Sequence, residues 1–425
     1  MYTRLVRLAM VLVATVAAAI LVEGLALGRQ VPVVGAGGPE AVGEVVFAWK
    51  ALNYSNMPAG VAYDPAACML AGVKVSMDGS YFVSVPRWKP HVPATLARLD
   101  TSVAPPLLTP FPSWEGNSLD NPRGLRSVLG FEIDATNTLW ALDQGKVANA
   151  PSPAGGIKLV GYDVATGKVV FFLVFGPELA SPSRSFLNDL VVDRAHGYIY
   201  ISDSGIPIDP QQQVLGGLLV VDIASVKATR VLSGAPSVQD SPLWITINGD
   251  KVLATTRMRT GADGIALTHD LETVVFCPLT SHHYAMLPAS VLRAVANGTA
   301  PPAAVDAAVV PLGDRGFASD GLGFSNVSAL FLTSLEGSGI FSAVSPGAPI
   351  TKLWADAKAS VWPDTIGWDH TGNIVWTSNQ LYKYMEGVLD YSEINFRIYR
   401  AMVGMDSYLA GIFPPSSTDH PRHHD

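Results

Sequence analysis

A repeated two-strand pattern constrains the fold of this chain more than any other feature of its sequence. In each copy a small or acidic residue opens a short apolar strand, a turn rich in Asp, Asn and Gly follows, and a second β-rich strand ends the unit. Six copies, about 45 to 75 residues apart, occupy residues 71–85, 129–143, 188–203, 263–270, 320–334 and 364–379. Each copy matches the first two strands of a four-stranded blade, and the spacing is typical of propeller blades with outer loops of variable length. The sequence therefore predicts an all-β, six-bladed β-propeller.

The two ends of the repeat region predict how the ring closes. Residues 45–49 and 395–400 both have strand-like composition, and their pairing would remove the open sheet edge that an unclosed ring leaves. No linker or change of composition divides residues 45–403, so this range is predicted to be one propeller domain. Residues 242–253 are interpreted as part of the fourth blade, and residues 288–293 as a short helix. The tail, residues 404–425, is expected to be disordered.

The N-terminus has the pattern of a secretory signal. Arg4 and Arg7 precede an uncharged apolar run over residues 8–22, and small residues at 26 and 28 offer a cleavage site. We therefore predict a signal peptide over residues 1–28, a lead-in over 29–44 and an extracellular mature protein. The alternative is a membrane anchor, but the run is shorter than the roughly 20 residues that a transmembrane helix needs. After cleavage no membrane association is expected.

The net charge limits the classes of molecule that this protein is expected to bind, and the cysteines and sequons would be modified only in a secreted protein. The formal net charge is −8, which disfavours nucleic acids and anionic membranes as partners. Cys68 and Cys277 could form one disulfide in a secreted protein, or remain two buried thiols. Asn53, Asn297 and Asn326 open Asn-x-Ser/Thr sequons, which are glycosylation sites if the host is eukaryotic.

The polar residues that open the strand pairs are the candidate ligand-binding residues. In a propeller such positions lie near one mouth of the central channel, and they are Asn188, Asp189, Asp263, Asp320 and Asp364. Converging carboxylates could hold Ca²⁺ or an organic ammonium group. Cation–π contacts could be added by aromatic residues such as Trp88, Trp140, Trp362 or Phe324. The alternative is that each Asp only caps the turn that opens its strand.

Collinear motifs along the chain resemble the Yellow and major royal jelly protein family. The matching segments are residues 47–49, 82–89, 92–96, 129–134, 139–145, 186–190, 198–203, 217–222, 276–281, 287–292, 361–364, 376–381 and 394–398. The resemblance implies a secreted six-bladed propeller that binds a small ligand, such as an aromatic amine, at its central channel. It also implies dopachrome-tautomerase-like activity, an isomerase reaction that needs only proton transfer and no cofactor. No individual catalytic residue is assigned.

Two other functions remain open. The Asp-Gly pairs at Asp263 and Asp320 also resemble strand openings of calcium-dependent propeller lactonases, with Asn188 and Asp320 as the residues that would hold Ca²⁺. Such a hydrolase needs an early glutamate ligand, for which Glu44 is the nearest candidate. A non-catalytic extracellular structural protein is the other alternative. The sequence contains no P-loop, no Gly-x-Ser-x-Gly elbow and no histidine spacing typical of zinc sites.

Overall fold

Six four-stranded antiparallel sheets form a closed ring in the computed structural model, which describes residues 42–414. The innermost strand of each sheet contacts the innermost strands of both neighbouring sheets, so that six strands surround a common axis. These strands correspond to the first strands of the six sequence repeats. The predicted six-bladed β-propeller is therefore confirmed.

The strand bounds follow the chain blade by blade. The first strand of the chain is β1 (Glu44–Trp49). Blade 1 contains β2 (Val73–Val75), β3 (Tyr81–Ser84), β4 (Leu96–Asp100) and β5 (Leu107–Pro110). Blade 2 contains β6 (Val128–Ile133), β7 (Thr138–Asp143), β8 (Lys158–Asp163) and β9 (Val169–Val174). Blade 3 contains β10 (Leu187–Asp193), β11 (Tyr198–Asp203), β12 (Gly217–Asp222) and β13 (Lys227–Val231).

The second half of the ring is built in the same way. After a hairpin of β14 (Thr246–Ile247) and β15 (Asp250–Lys251), blade 4 contains β16 (Ala262–Leu267), β17 (Thr273–Pro278), β18 (His283–Pro288) and β19 (Val310–Asp314). Blade 5 contains β20 (Leu322–Phe324), β21 (Leu330–Ser334), β22 (Gly339–Ala343) and β23 (Thr351–Ala355). Blade 6 contains β24 (Pro363–Trp368), β25 (Asn373–Ser378) and β26 (Phe396–Met402), with β1 as its outermost strand.

The first and last strands close the ring, as the sequence predicted. β1 pairs antiparallel with β26, and Trp49 lies opposite Phe396 in the register. Because β1 completes blade 6, the two ends of the propeller region are joined by backbone hydrogen bonds and blade 6 has no unpaired edge at β26.

Short helices lie in the connections between strands. Three-residue 3₁₀ helices lie at Pro65–Ala67, Glu115–Asn117 and Pro236–Val238. Helix α1 (Ala289–Ala296) and helix α2 (Ala303–Ala308) connect β18 to β19, and helix α3 (Leu381–Glu386) follows β25. The predicted helix at residues 288–293 is thus confirmed as the start of α1.

The assignment of residues 242–253 to the fourth blade is wrong. β14 and β15 form a separate two-stranded sheet that precedes blade 4. The segment has the sequence pattern of a blade strand because Ile245, Ile247 and Val252 are apolar. Their burial in the core cluster that also contains residues of blades 1 and 6 accounts for this composition.

The expected disordered tail divides into two parts. Residues 404–414 are described and pack on the propeller: Ser407 forms a β-bridge with Ser325, and Tyr408 and Leu409 are buried. The expectation of disorder is therefore corrected for this part, because these apolar side chains find partners. Residues 415–425 lie outside the described residues, as does the predicted signal peptide. Within residues 42–414, no helix is long and apolar enough to span a bilayer.

Candidate functional site

Irregular strand openings place the predicted polar residues at the axis. The pairing of the innermost strand with its neighbour shifts register between Leu187 and Leu190, between Ala262 and Ile265, and between Pro363 and Ile366. Each interval contains a predicted site residue, namely Asn188, Asp189, Asp263 or Asp364. A β-bulge redirects the side chains within it. The bulges therefore explain why these polar groups face the channel while the rest of each strand is buried in the blades.

Glycines beside the acids allow the innermost strands to approach closely. A Cβ atom on Gly264 would lie 2.4 Å from the carbonyl oxygen of Asp320, and one on Gly321 would lie 2.4 Å from that of Asp364. No side chain is compatible with such contacts. The Asp-Gly pairs of the sequence thus combine two requirements, an inward-facing acid and a neighbour without a side chain.

Four of the five predicted residues line one cavity at the channel mouth. This cavity has a volume of about 330 Å³, and Asn188, Asp263, Asp320 and Asp364 form part of its lining. Asp189 lies deeper, in a constriction of about 20 Å³ that all five residues share. Such a volume is sufficient for about one water molecule. We call Asn188, Asp263, Asp320 and Asp364 the floor of the cavity. Their position at the channel mouth is the one that the sequence predicted, and their role in ligand binding stays a prediction.

Neutral groups donate hydrogen bonds to the three carboxyl groups of the floor. Asn188 Nδ2 donates to Asp263 Oδ2 at 2.6 Å. Trp362 Nε1 donates to Asp320 Oδ2 at 2.8 Å, and Asn379 Nδ2 donates to Asp364 Oδ2 at 2.7 Å. Asn188 Nδ2 also lies 3.2 Å from Ser204 Oγ. None of these donors carries a charge that would offset the burial of a carboxylate.

Burial makes the floor partly protonated near neutral pH. Desolvation raises the pKa of Asp320 to about 7 and raises the pKa of Asp263 and of Asp364 well above the usual range, with the neighbouring carboxylates adding to the effect. The interaction between the Asp263 and Asp320 carboxyl groups raises the pKa of Asp263 and lowers that of Asp320. Trp362 also lowers the pKa of Asp320, so Asp263 is the group of the two that retains its proton more strongly.

A buried ion pair lies further along the channel. Lys74 Nζ is 3.0 Å from Glu132 Oε2 and donates to the carbonyl oxygen of Ile366 at 2.9 Å. Burial raises the pKa of Asp189 to about 6, and the Lys74 ammonium group opposes that rise. The sequence analysis did not identify this pair, although both residues interrupt apolar innermost strands.

Aromatic residues form one wall of the cavity. Trp88 stacks on Phe186 with ring centroids 6.2 Å apart, and Tyr384 lies 6.5 Å from Trp88. Lys89 Nζ lies 3.8 Å from the centroid of the Tyr384 ring. Burial lowers the pKa of Lys89. The wall offers flat apolar surface for an aromatic ligand, with a cation beside it.

The four aromatic residues predicted to lie near the channel occupy different positions in the structure. Trp88 lines the cavity and Trp362 acts through its bond to Asp320, but Phe324 is buried in a blade core. Trp140 is likewise internal, and its Nε1 donates to Asp134 Oδ2 at 3.0 Å. Phe186 and Tyr384 were missed because they lie in segments between the repeated strands, where no periodicity marks them.

The remaining predicted residues lie away from the cavity. Glu44, the glutamate that a lactonase-type metal site would require, is on the outermost strand of blade 6 and pairs with Arg400 at 3.0 Å. It therefore cannot join Asn188 and Asp320. No group of three or more His, Cys, Asp or Glu residues within the described range has the arrangement of a metal site.

The structure also shows the state of the two cysteines and the exposure of the three sequon asparagines. Cys68 and Cys277 are separate buried thiols, so the disulfide alternative is not the one that the structure shows. Asn53 and Asn297 are exposed, whereas Asn326 is half-buried and its side-chain oxygen accepts a hydrogen bond from the backbone of Asp406 at 3.2 Å. Glycosylation at these positions stays a prediction.

A second, wider cleft of about 430 Å³ lies beside the loops of blade 1. Its buried cation, Arg87, donates to five backbone carbonyl groups, those of Val92, Pro93, Asn117, Leu125 and Arg126. These bonds use all five N–H groups of the guanidinium. Arg87 therefore holds the loops together, and the cleft lacks the converging acids of the axial cavity.

Comparison with known proteins settles the family. A family model described as major royal jelly protein matches residues 126–407, which is more than half of the chain. The chain belongs to the Yellow and major royal jelly protein family. The family assignment confirms the resemblance that the sequence motifs indicated.

Two relatives in this family resemble the chain at low sequence identity. Protein yellow of Drosophila erecta is 25% identical over 368 residues, which cover 80% of this chain and 63% of that protein. The chain therefore spans less than two thirds of that relative's length. Dopaminechrome tautomerase of Drosophila melanogaster is 23% identical over 398 residues, which cover 85% of this chain and 82% of the relative.

A solved structure supports the architecture. A luciferin-regenerating enzyme superposes with a TM-score of 0.50 at 13% identity, covering 86% of this chain and 97% of the enzyme. At this level of identity the similarity shows the fold alone, since one propeller fold serves many functions.

Proposed function

We propose that the protein binds a small aromatic ligand in the axial cavity and catalyses the tautomerisation of an aminochrome such as dopaminechrome. The observation that carries the proposal is that Asp263 and Asp320, two buried carboxyl groups of raised pKa, line the same cavity as the aromatic residues Trp88, Phe186 and Tyr384. Similarity to a dopaminechrome tautomerase adds to it.

The reaction needs only proton movement. Tautomerisation of an aminochrome to the dihydroxyindole moves protons from the two saturated ring carbons to the two quinone oxygens and leaves atoms and electrons unchanged. An ionised Asp320 is suited to accept a carbon-bound proton, and a protonated Asp263 to donate to a quinone oxygen. A base with a pKa of about 7 is half ionised at neutral pH, which favours transfer in both directions.

The wall and the floor have separate tasks in binding. Trp88, Phe186 and Tyr384 offer flat surfaces against which a bicyclic ligand can stack. The Lys89 ammonium beside Tyr384 is suited to an electron-rich oxygen of the ligand.

An extracellular location after cleavage of residues 1–28 is also part of the proposal. The mass of the secreted protein tests this location directly.

The test is turnover of freshly oxidised dopamine by the purified protein. We expect loss of aminochrome absorbance above the spontaneous rate and formation of dihydroxyindole, and we expect Asp320→Asn to reduce kcat at least tenfold. Asp270→Asn is the matched control, because Asp270 is an exposed acid on the turn between β16 and β17.

The outcomes separate binding from catalysis. Saturable binding without turnover would refute the proposed tautomerase activity and support a protein that only binds the ligand. Turnover that survives in both Asp263→Asn and Asp320→Asn would show that these carboxyl groups do not carry the reaction.

A further inference from the structure

The last described segment of the chain crosses the end of the propeller that lies opposite the cavity. We call residues 403–412, which follow β26, the C-terminal strap. The Tyr408 carbonyl oxygen lies 2.7 Å from His269 Nδ1, and the Tyr408 hydroxyl accepts a hydrogen bond from the backbone of Val192 at 2.7 Å. The strap therefore connects blade 3 to blade 4.

Further contacts extend the strap over blades 5 and 6. The backbone of Asn326 donates to the carbonyl oxygen of Asp406 at 2.8 Å, and Ser407 bridges Ser325. His370 Nδ1 lies 3.0 Å from Asp406 Oδ1, and the other ring nitrogen of His370 lies 3.0 Å from the carbonyl oxygen of Val75 in blade 1.

All these partners lie where the innermost strands end. Val75 is the last residue of β2, Val192 is the penultimate residue of β10, and Ser325 directly follows β20. The acids of the cavity lie where the same strands begin. Because the innermost strands surround the axis, the strap and the cavity occupy opposite ends of one channel.

Tyr408 is buried where the innermost strand β10 ends. Its side chain is 3% exposed. Its hydroxyl group is bonded to the backbone of Val192, on the innermost strand β10. Burial raises the pKa of Tyr408, and the negative charges of Glu132, Asp189 and Asp193 add to the rise. Glu132 belongs to blade 2, the one blade that the backbone contacts above do not include.

We propose that the C-terminal strap is a plug that closes the far end of the axial channel, with Tyr408 as its stopper, so that the ligand cavity opens to solvent at one mouth only. The plug keeps the Lys74–Glu132 pair out of water. Ligand and protons must then enter and leave on the side of Trp88 and Tyr384. This inference concerns access and does not depend on the proposed reaction.

The test measures access to Glu132. The purified full-length protein is treated with a water-soluble carbodiimide and an amine, and modification of each carboxyl group is followed by mass spectrometry. The constriction of about 20 Å³ at Asp189 is too small for the carbodiimide, so the reagent cannot pass through it from the ligand cavity to Glu132. Asp78, an exposed acid on the turn between β2 and β3, is the internal reference.

In the wild-type protein we expect Glu132 to react at least tenfold more slowly than Asp78. Tyr408→Ala should raise the Glu132 rate at least tenfold. Phe413→Ala is the matched control, because Phe413 lies just beyond the strap and its side chain is 60% exposed. Asp406→Ala, which keeps Tyr408 but breaks the contact to His370, should give an intermediate rate.

Two results would overturn the plug. One is a wild-type Glu132 that reacts as fast as Asp78, a measurement that requires no variant to fold. The other is a folded Tyr408→Ala protein, verified by circular dichroism, in which Glu132 remains unreactive. If Tyr408→Ala does not fold, the wild-type and Asp406→Ala rates decide the question.

Discussion

Replacing Trp362 by phenylalanine tests whether an indole donor sets the protonation of the cavity floor. Trp362 is fully buried, and its Nε1 donates to Asp320 Oδ2 at 2.8 Å. The substitution removes this N–H and leaves most of the ring. Because the bond stabilises the ionised form of Asp320, its loss should raise the pKa of that carboxyl group further above its present value of about 7.

The size of the change follows from the type of bond. A hydrogen bond to a charged group contributes about 1.5–3 kcal/mol. One pH unit corresponds to about 1.36 kcal/mol, so the midpoint at which Asp320 ionises should move upward by about one to two pH units. If Asp320 is the base, the rising limb of the pH profile of kcat/KM should move by the same amount.

Trp140→Phe is the matched control for this experiment. Trp140 is also buried, and its Nε1 donates to the buried Asp134 at 3.0 Å, but both residues lie away from the cavity. The two variants should therefore lose similar stability, while only Trp362→Phe should move the pH profile. Infrared difference spectra of the protonated carboxyl band give a second reading that does not require turnover.

The reasoning fails if Trp362→Phe folds and its midpoint stays within a few tenths of a pH unit of the wild-type midpoint. A shift toward acid would contradict it more directly, because it would mean that the indole favours the protonated form. An equal shift in Trp140→Phe would show that the effect is general loosening and not the loss of one donor.

Three further predictions concern stability and the thiols. The raised pKa of Asp320 means that the folded protein binds more protons than the unfolded chain between about pH 4 and 7, so Asp320→Asn should raise Tm at pH 8 and leave it nearly unchanged at pH 4. Lys74→Met leaves the Glu132 carboxylate without its buried partner and should cost about 3–5 kcal/mol in a urea titration. Arg400→Met, which breaks the exposed pair with Glu44, should lower the free energy of unfolding by less than about 1 kcal/mol. Equal losses of stability in Lys74→Met and Arg400→Met would contradict the conclusion that the Lys74–Glu132 pair is buried. Both buried thiols should react with Ellman's reagent only after unfolding, and a mass unchanged by reduction confirms that they are unpaired.

The repeated strands were predictable because their signal is local. Each copy carries its own apolar strand, turn and second strand, and each of those turns is made by neighbouring residues. The Asp-Gly pairs identified the channel for the same reason, since the acid and the glycine are adjacent. The misassigned hairpin at residues 242–253 shows the limit of this signal, because burial against other blades gives any segment an apolar pattern.

The walls of the cavity could not be predicted in this way. Lys89 and Tyr384 lie in segments between the repeats, in blades 1 and 6, and meet only because the ring closes. Their approach to Trp88 depends on loop paths that carry no periodicity. The strap was likewise interpreted as a disordered tail, since the partners of Tyr408 lie more than one hundred residues earlier in the chain.

The sequence by itself determined the six-bladed architecture, its closure and the acids at the channel mouth. Only the tertiary structure decided which of those acids carries a proton, because protonation depends on the water that all blades together exclude and on donors from other blades. Asp320 and Trp362 are 42 positions apart, and Asn188 and Asp263 are 75 apart. Folding brings these groups within hydrogen-bonding distance in a site with little water, and there their pKa values and their chemistry are set.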